Sequence, residues 1–159
     1  MRIKPQTAII SVLTIFILGI AITSVTGLWQ TQTTKTPSKL ENAQYSDKYD
    51  PADIRGSYTF SDISRLYGIP LGDLSAAFGV DEAAASDFKC KDLESIYGES
   101  QYEIGTASVK MFTAYYLGLP YEPSEETYLP DAAANVLTEK GNMTQEQRDY
   151  LKGHTVPEG

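Results

Sequence analysis

The residues of this chain that are able to do covalent or metal chemistry are few and far apart. Cys90 is the only cysteine and His154 the only histidine. A disulfide within the chain, a CxxC site and a CxxCH haem attachment are therefore excluded. One thiol and one imidazole this distant in sequence make neither a zinc shell nor a nucleophile–base pair with its orienting third group. Lys89 and Lys91 flank Cys90, where two ammonium groups would lower a thiol pKa. A lone thiol is more commonly a small buried hydrophobe, and Cys90 is expected in the core. Paired acids stand at Asp81-Glu82 and Glu125-Glu126. Adjacent residues on a helix point apart, and neither stretch has calcium-loop spacing, so charge at a helix N-terminus is their expected role. No catalytic residue, metal site or cofactor is expected.

What the chain offers instead is aromatic surface. Tyr supplies 11 residues against 5 Phe and 1 Trp, so most rings carry a polar tip. Met111, Phe112, Tyr115, Tyr116, Leu119, Tyr121 and Tyr128 crowd into one stretch, more apolar area than one face of a short helix buries. A tyrosine joins a large ring to a hydroxyl, which favours it at interfaces. Tyr115, Tyr116, Tyr121 and Tyr128 are thus the candidate partner-binding residues. Neighbours on a helix diverge by about 100°, so one of Tyr115 and Tyr116 is expected inside and the other presented. Tyr121, just past Pro120, is expected in an exposed loop. The net charge is −8, with all 21 acidic residues at Glu41 or beyond. That balance tells against nucleic acid, whose binding needs Lys and Arg to neutralise phosphates.

The elements that must position these residues read as helices. Thr59 caps a helix carrying Phe60, Ile63, Leu66 and Tyr67, spaced by three and four. Gly68 fits the left-handed position that closes it, and Pro70 opens a second helix over Leu71 to Phe78, ended by Gly79. Asp92 caps a short helix stopped by Gly98. A longer helix is predicted from about Ala107 to Leu117, closed by Gly118, and another from Pro130-Asp131 to Lys140. Thr144 to Gln147 form a capping box, with Met143 before it, for a last helix ending at Lys152 and Gly153. Almost nothing reads as strand.

The soluble part also repeats itself at an offset of 50: Gly68-Ile69-Pro70 returns as Gly118-Leu119-Pro120. In the same register Ile54 matches Ile104, Asp81 matches Asp131, and Ala83-Ala84 match Ala133-Ala134. A period of this size points to a repeated supersecondary unit. Two helical units are expected, over 52–100 and 101–154, with a tail over 155–159 and a linker over 31–51.

Before the linker, Ala8 to Trp29 carry no charge. About 22 residues at a rise of about 1.5 Å give roughly 33 Å, enough to cross a bilayer core. Arg2 and Lys4 precede this run and Trp29 ends it, which by the positive-inside bias puts the N-terminus in the cytoplasm. The expectation is an all-α, single-pass membrane protein. Residues 1–30 are its anchor, 8–29 meet lipid, and the domain lies outside the cytoplasm. A cleaved signal peptide, processed after Val25 and Gly27, is the rival.

These residues carry three resemblances. Residues 60–79 resemble a helix-turn-helix, but the segment LGDLSAAFG that would read DNA has no basic residue and contains Asp73. Tyr58-Thr59-Phe60 and the stretch DISRLYGIPLGDLSAAFG resemble the helix-loop-helix of LysM modules, without their Gly-Asp-Thr entry or closing strand. That resemblance implies glycan binding near Tyr58 and Ile69-Pro70. Arg55-Gly56-Ser57-Tyr58-Thr59 with DISRLYGIP is similar to a tandem helical accessory module found with membrane-bound iron–sulfur and polyferredoxin-like proteins. The chain lacks the cluster ligands, so this resemblance implies company with a membrane redox or transport complex and no chemistry of its own. The expected role is accordingly a non-enzymatic accessory protein docking on another membrane protein or complex, with glycan binding as the alternative.

Overall fold

In the computed structural model, residues 36–98 and 102–156 are described, and they fall within one compact unit, Lys35–Gly159. Helix α1 is Phe60–Tyr67, and its start is dictated locally. The Thr59 hydroxyl accepts from the Asp62 N–H at 3.2 Å, and the Asp62 carboxylate accepts from the Thr59 N–H at 3.0 Å. Gly68, at φ 73°, ends α1 in the left-handed conformation, and α2, Leu71–Phe78, follows Pro70 at once. A short helix α3, Glu82–Ala85, begins where the Asp81 carboxylate accepts from the Ala83 N–H at 2.8 Å. Cys90–Asp92 form a 3-10 turn leading into α4, Leu93–Tyr97. Helix α5 is Thr106–Leu117, α6 is Asp131–Lys140 and α7 is Gln145–Gly153. The helices predicted within these residues are all present, with bounds shifted by a residue or two.

The all-α expectation needs correction. Leu129–Pro130 (β1) and Thr155–Val156 (β2) form a small parallel sheet, and the Leu129 N–H donates to the His154 carbonyl at 2.9 Å. The tail thus begins as a strand. Two residues per strand are too few for an alternating pattern to be visible in sequence, and Pro130, lacking an N–H, stops the ladder where it begins.

The single-pass membrane architecture is also corrected. The anchor expected over residues 1–30, with lipid contact over 8–29, lies outside the described residues. Among the described residues no helix is long and apolar enough to cross a membrane. The longest, α5, has 12 residues, where about 20 apolar ones are needed. The extracytoplasmic placement that rested on the anchor is withdrawn with it.

The two expected helical units share one core rather than standing as pseudo-repeats. Helix α2 from the first half packs along α6 from the second. Aromatic rings run across both halves, Phe60 to Phe78 at 5.7 Å, Phe78 to Phe112 at 5.5 Å and Phe112 to Tyr116 at 5.8 Å. The repeat is real in one respect: Gly68 and Gly118 both end a helix left-handed, at φ 73° and 66°, and Ile69 and Leu119 after them are both buried. It breaks after the prolines. Pro70 opens α2, whereas Pro120 leads into an irregular stretch, interrupted by Pro123, that reaches β1 before any helix resumes. Residues 36–50, read as linker, close on themselves. Lys39 and Tyr49 form an antiparallel bridge, and the Tyr67 hydroxyl donates to the Asp50 carbonyl at 2.9 Å.

One buried charge joins three helices. Asp73 of α2 is 8% exposed. It accepts from the Tyr116 hydroxyl of α5 at 2.7 Å and from the Lys140 ammonium of α6 at 2.6 Å. Burial pushes its carboxyl pKa up, but these two hydrogen bonds and the Lys140 charge outweigh that and hold it below the ordinary carboxylate value. Burial first, then the hydrogen bond to Asp73 and its charge, push the Tyr116 hydroxyl up to about 12. A carboxylate depressed in the folded state stabilises above its unfolded pKa of about 3.9, and the contribution is lost as pH falls through the folded value. Asp73→Asn should therefore cost about 1–2 kcal/mol at pH 7, a gap that closes as the pH is lowered through about 4 towards 2. Urea titrations of both proteins across that range check it. A gap independent of pH would mean that the charge of Asp73 is not what holds the three helices.

Candidate functional site

The residues that converge on a surface recess come from four parts of the chain. Helix α5 brings Tyr115 to its last turn, and Gly118 then reverses the backbone so that Leu119 turns inward. The stretch after Pro120 contributes Tyr121, Glu122 and Pro123. Helix α7 supplies Glu146, Gln147 and Tyr150, which share a face because they lie three and four residues apart. Tyr45, from the 3-10 turn Ala43–Tyr45, closes the remaining side. The groove has a volume of about 390 Å³, at the small end of ligand-sized pockets.

Its walls are fixed by polar contacts among the lining residues and their neighbours. Gln147 is buried. Its side-chain oxygen accepts from the Thr144 N–H at 3.0 Å, completing the α7 capping box, and its amide donates to the Leu119 carbonyl at 2.8 Å. One residue therefore starts the helix and pins the opposite wall. Tyr150 is held at both ends. Its hydroxyl donates to the Ser124 carbonyl at 2.9 Å, and its ring stacks on His154 at 3.7 Å with planes 7° apart. His154, which takes no part in any dyad, has its Nδ1 2.9 Å from the Tyr150 carbonyl.

Electrostatically the groove is one-sided. Among the described residues, Glu122 and Glu146 are its only charged lining residues. Tyr115 is 1% exposed, yet its hydroxyl has no hydrogen bond to another described residue and opens on this recess. Burial pushes its pKa up, and Tyr150, Tyr121 and Glu146 push it further, which places those groups around it. Tyr121, half-buried, is likewise without a hydrogen bond to a described residue, and burial, Tyr150 and Asp50 raise its pKa. Both hydroxyls stay protonated at ordinary pH.

Of the four tyrosines predicted to bind a partner, the fold brings Tyr115 and Tyr121 together and sends the other two elsewhere. Tyr116 turns to Asp73. Tyr128 packs on Tyr102 at 4.6 Å and on His154 at 5.2 Å, beside a separate recess edged by Glu103, Glu125 and Glu126. Sequence reasoning does not single out Tyr45, Tyr150, Glu122 or Glu146. The spacing of Glu146, Gln147 and Tyr150 on one helical face is a usable signal for that wall. For Tyr45, seventy residues from Tyr115 in the chain, there is none.

The remaining candidates find structural roles. Cys90 is fully buried, and its N–H donates to the Tyr58 carbonyl at 2.9 Å. Asp81 caps α3. Among the described residues, no three His, Cys, Asp or Glu side chains converge as a metal site. Of the residues on which glycan binding would rest, Tyr58 is 1% exposed and Ile69 fully buried, while Pro70 is exposed. No protein-family model, curated protein or solved structure matches this chain.

Proposed function

We propose that this protein is a non-enzymatic docking module, and that a partner protein carrying an exposed basic segment seats in the tyrosine groove. The observation that carries this reading is the convergence of Tyr45, Tyr115, Tyr121 and Tyr150 on a recess whose only charges, among the described residues, are two carboxylates. Aromatic walls with a charged rim are the usual anatomy of a protein-binding site. The net charge of −8 supports a basic partner, since a field of one sign speeds encounter with the opposite one. The lining supplies faces, acceptors and donors for binding, and the Thr144 hydroxyl is already engaged in capping α7.

Tyr121 is the variant to make, because it is half-buried, lies outside any helix and lacks a hydrogen bond within the described fold. Tyr121→Ala should weaken partner recovery by about thirtyfold, equivalent to about 2 kcal/mol at a central interface tyrosine, with the helical circular dichroism signal retained. Tyr128→Ala, outside the groove, should leave recovery unchanged, and recovery by the parent should fall with added salt. Equal loss in the two variants, or no loss in Tyr121→Ala, rules the groove out as the docking surface.

A further inference from the structure

We infer that the groove is an arginine receptor: one guanidinium of the partner lies against its tyrosine rings, with Glu122 and Glu146 as its counter-charges. This rests on the docking reading above and adds the chemical group that is recognised. Tyr45, Tyr121 and Tyr150, each partly exposed, border one recess, and aromatic rings gathered in this way attract a cation through the negative potential of their faces. An ammonium or guanidinium is therefore favoured, and a carboxylate or phosphate is repelled by the two glutamates. Pro120 and Pro123 have no N–H to offer, so the backbone of this wall adds few donors for an anion. The Tyr115 hydroxyl is an independent pointer to a ligand. It is a polar group on a residue only 1% exposed that lines the groove, and it has no hydrogen-bond partner among the described residues. Its oxygen and that of Tyr121 remain free to accept.

Arginine is favoured over lysine on three grounds. Its planar fork carries five donors, enough to reach two carboxylates and hydroxyl oxygens together. It stacks on aromatic faces, and it gives up its hydration more readily than an ammonium. A volume of about 390 Å³ suits one long side chain rather than a large ligand. Lys39 lies 3.8 Å from the Tyr49 ring centroid, outside the groove.

The test uses the full-length protein and three blocked tripeptides, Gly-Arg-Gly, Gly-citrulline-Gly and Gly-Lys-Gly. Citrulline keeps the shape of arginine and removes its charge. Followed by tyrosine-ring NMR shifts, the arginine peptide should bind at least about fivefold more tightly than the citrulline peptide, and more tightly than the lysine peptide. Tyr121→Phe keeps the π-face and should retain most of that preference. Tyr121→Leu should abolish it, and Glu146→Gln should reduce it by about threefold. Equal binding of the arginine and citrulline peptides overturns the arginine assignment. So does a lysine peptide that binds as well, or a Tyr121→Leu variant that keeps the preference. If the peptides fail while Tyr121→Ala still abolishes partner recovery, docking stands and only the arginine assignment falls. If Tyr121→Ala leaves recovery intact as well, the docking reading falls too.

Discussion

Gly118→Ala is expected to lower stability by about 3 kcal/mol or more, whereas Gly68→Ala should cost only about 1 kcal/mol, although both glycines end a helix in the same way. The left-handed backbone, at φ 66° and 73°, penalises a Cβ at either position. The surroundings separate them. A Cβ at Gly68 would meet nothing within 4 Å, but at Gly118 it would lie 2.4 Å from the Asn142 carbonyl oxygen and 2.9 Å from that residue's side-chain nitrogen. The Asn142 backbone cannot move aside freely, because its N–H donates to the Tyr116 carbonyl at 3.0 Å. The offset repeat suggests equal costs for the two; the packing makes them unequal. Urea unfolding of the two variants checks this, and equal midpoints would mean that the 118–142 contact is not formed.

Tyr115→Ala should be the more damaging of the neighbouring tyrosine truncations, at about 3–5 kcal/mol. Its side chain is 1% exposed and packs in the common core. Against a typical total stability of about 5–15 kcal/mol, that loss unfolds much of the population on mild heating. Tyr115→Phe removes only the hydroxyl, which has no partner among the described residues, and should cost less than about 1 kcal/mol. Tyr116→Ala falls between, since its half-buried ring is anchored at Asp73. In thermal melts by far-UV circular dichroism, Tyr115→Phe should have the highest midpoint of the three variants, Tyr116→Ala the next and Tyr115→Ala the lowest. A wild-type midpoint for Tyr115→Ala would contradict the burial of that ring. Loss of partner binding in Tyr115→Ala therefore says nothing about docking, whereas loss in Tyr121→Ala does.

Local chemistry made the helices legible. Thr59 with Asp62 and Thr144 with Gln147 announce their own starts, and Gly68, Gly79 and Gly118 their ends, because caps and left-handed closures depend on a few adjacent residues. The sheet between Leu129–Pro130 and Thr155–Val156 was not legible, since its pairing partners lie far apart and each strand is two residues long. The repeat misled for a related reason. Matching Gly-X-Pro triplets fix a turn, but the path of the chain beyond it depends on Pro123 and on packing against other elements. The tyrosine-rich stretch includes Tyr115 and Tyr121, which line the same recess. Which rings meet, however, was settled by α7 and by the turn at Tyr45, neither adjacent to them in sequence.

Docking at the groove is tested most directly by placing a photo-cross-linking phenylalanine analogue at Tyr121 of the full-length protein and sequencing the peptide it captures. The expected adduct joins Tyr121 to a segment bearing arginine within a few residues of the attachment point. It should weaken when Glu122→Gln and Glu146→Gln are combined, and be absent when the analogue is placed at Tyr128 instead. Equal capture from Tyr121 and Tyr128, or capture at Tyr121 of segments with no basic residue, would contradict a basic partner seated between these tyrosines.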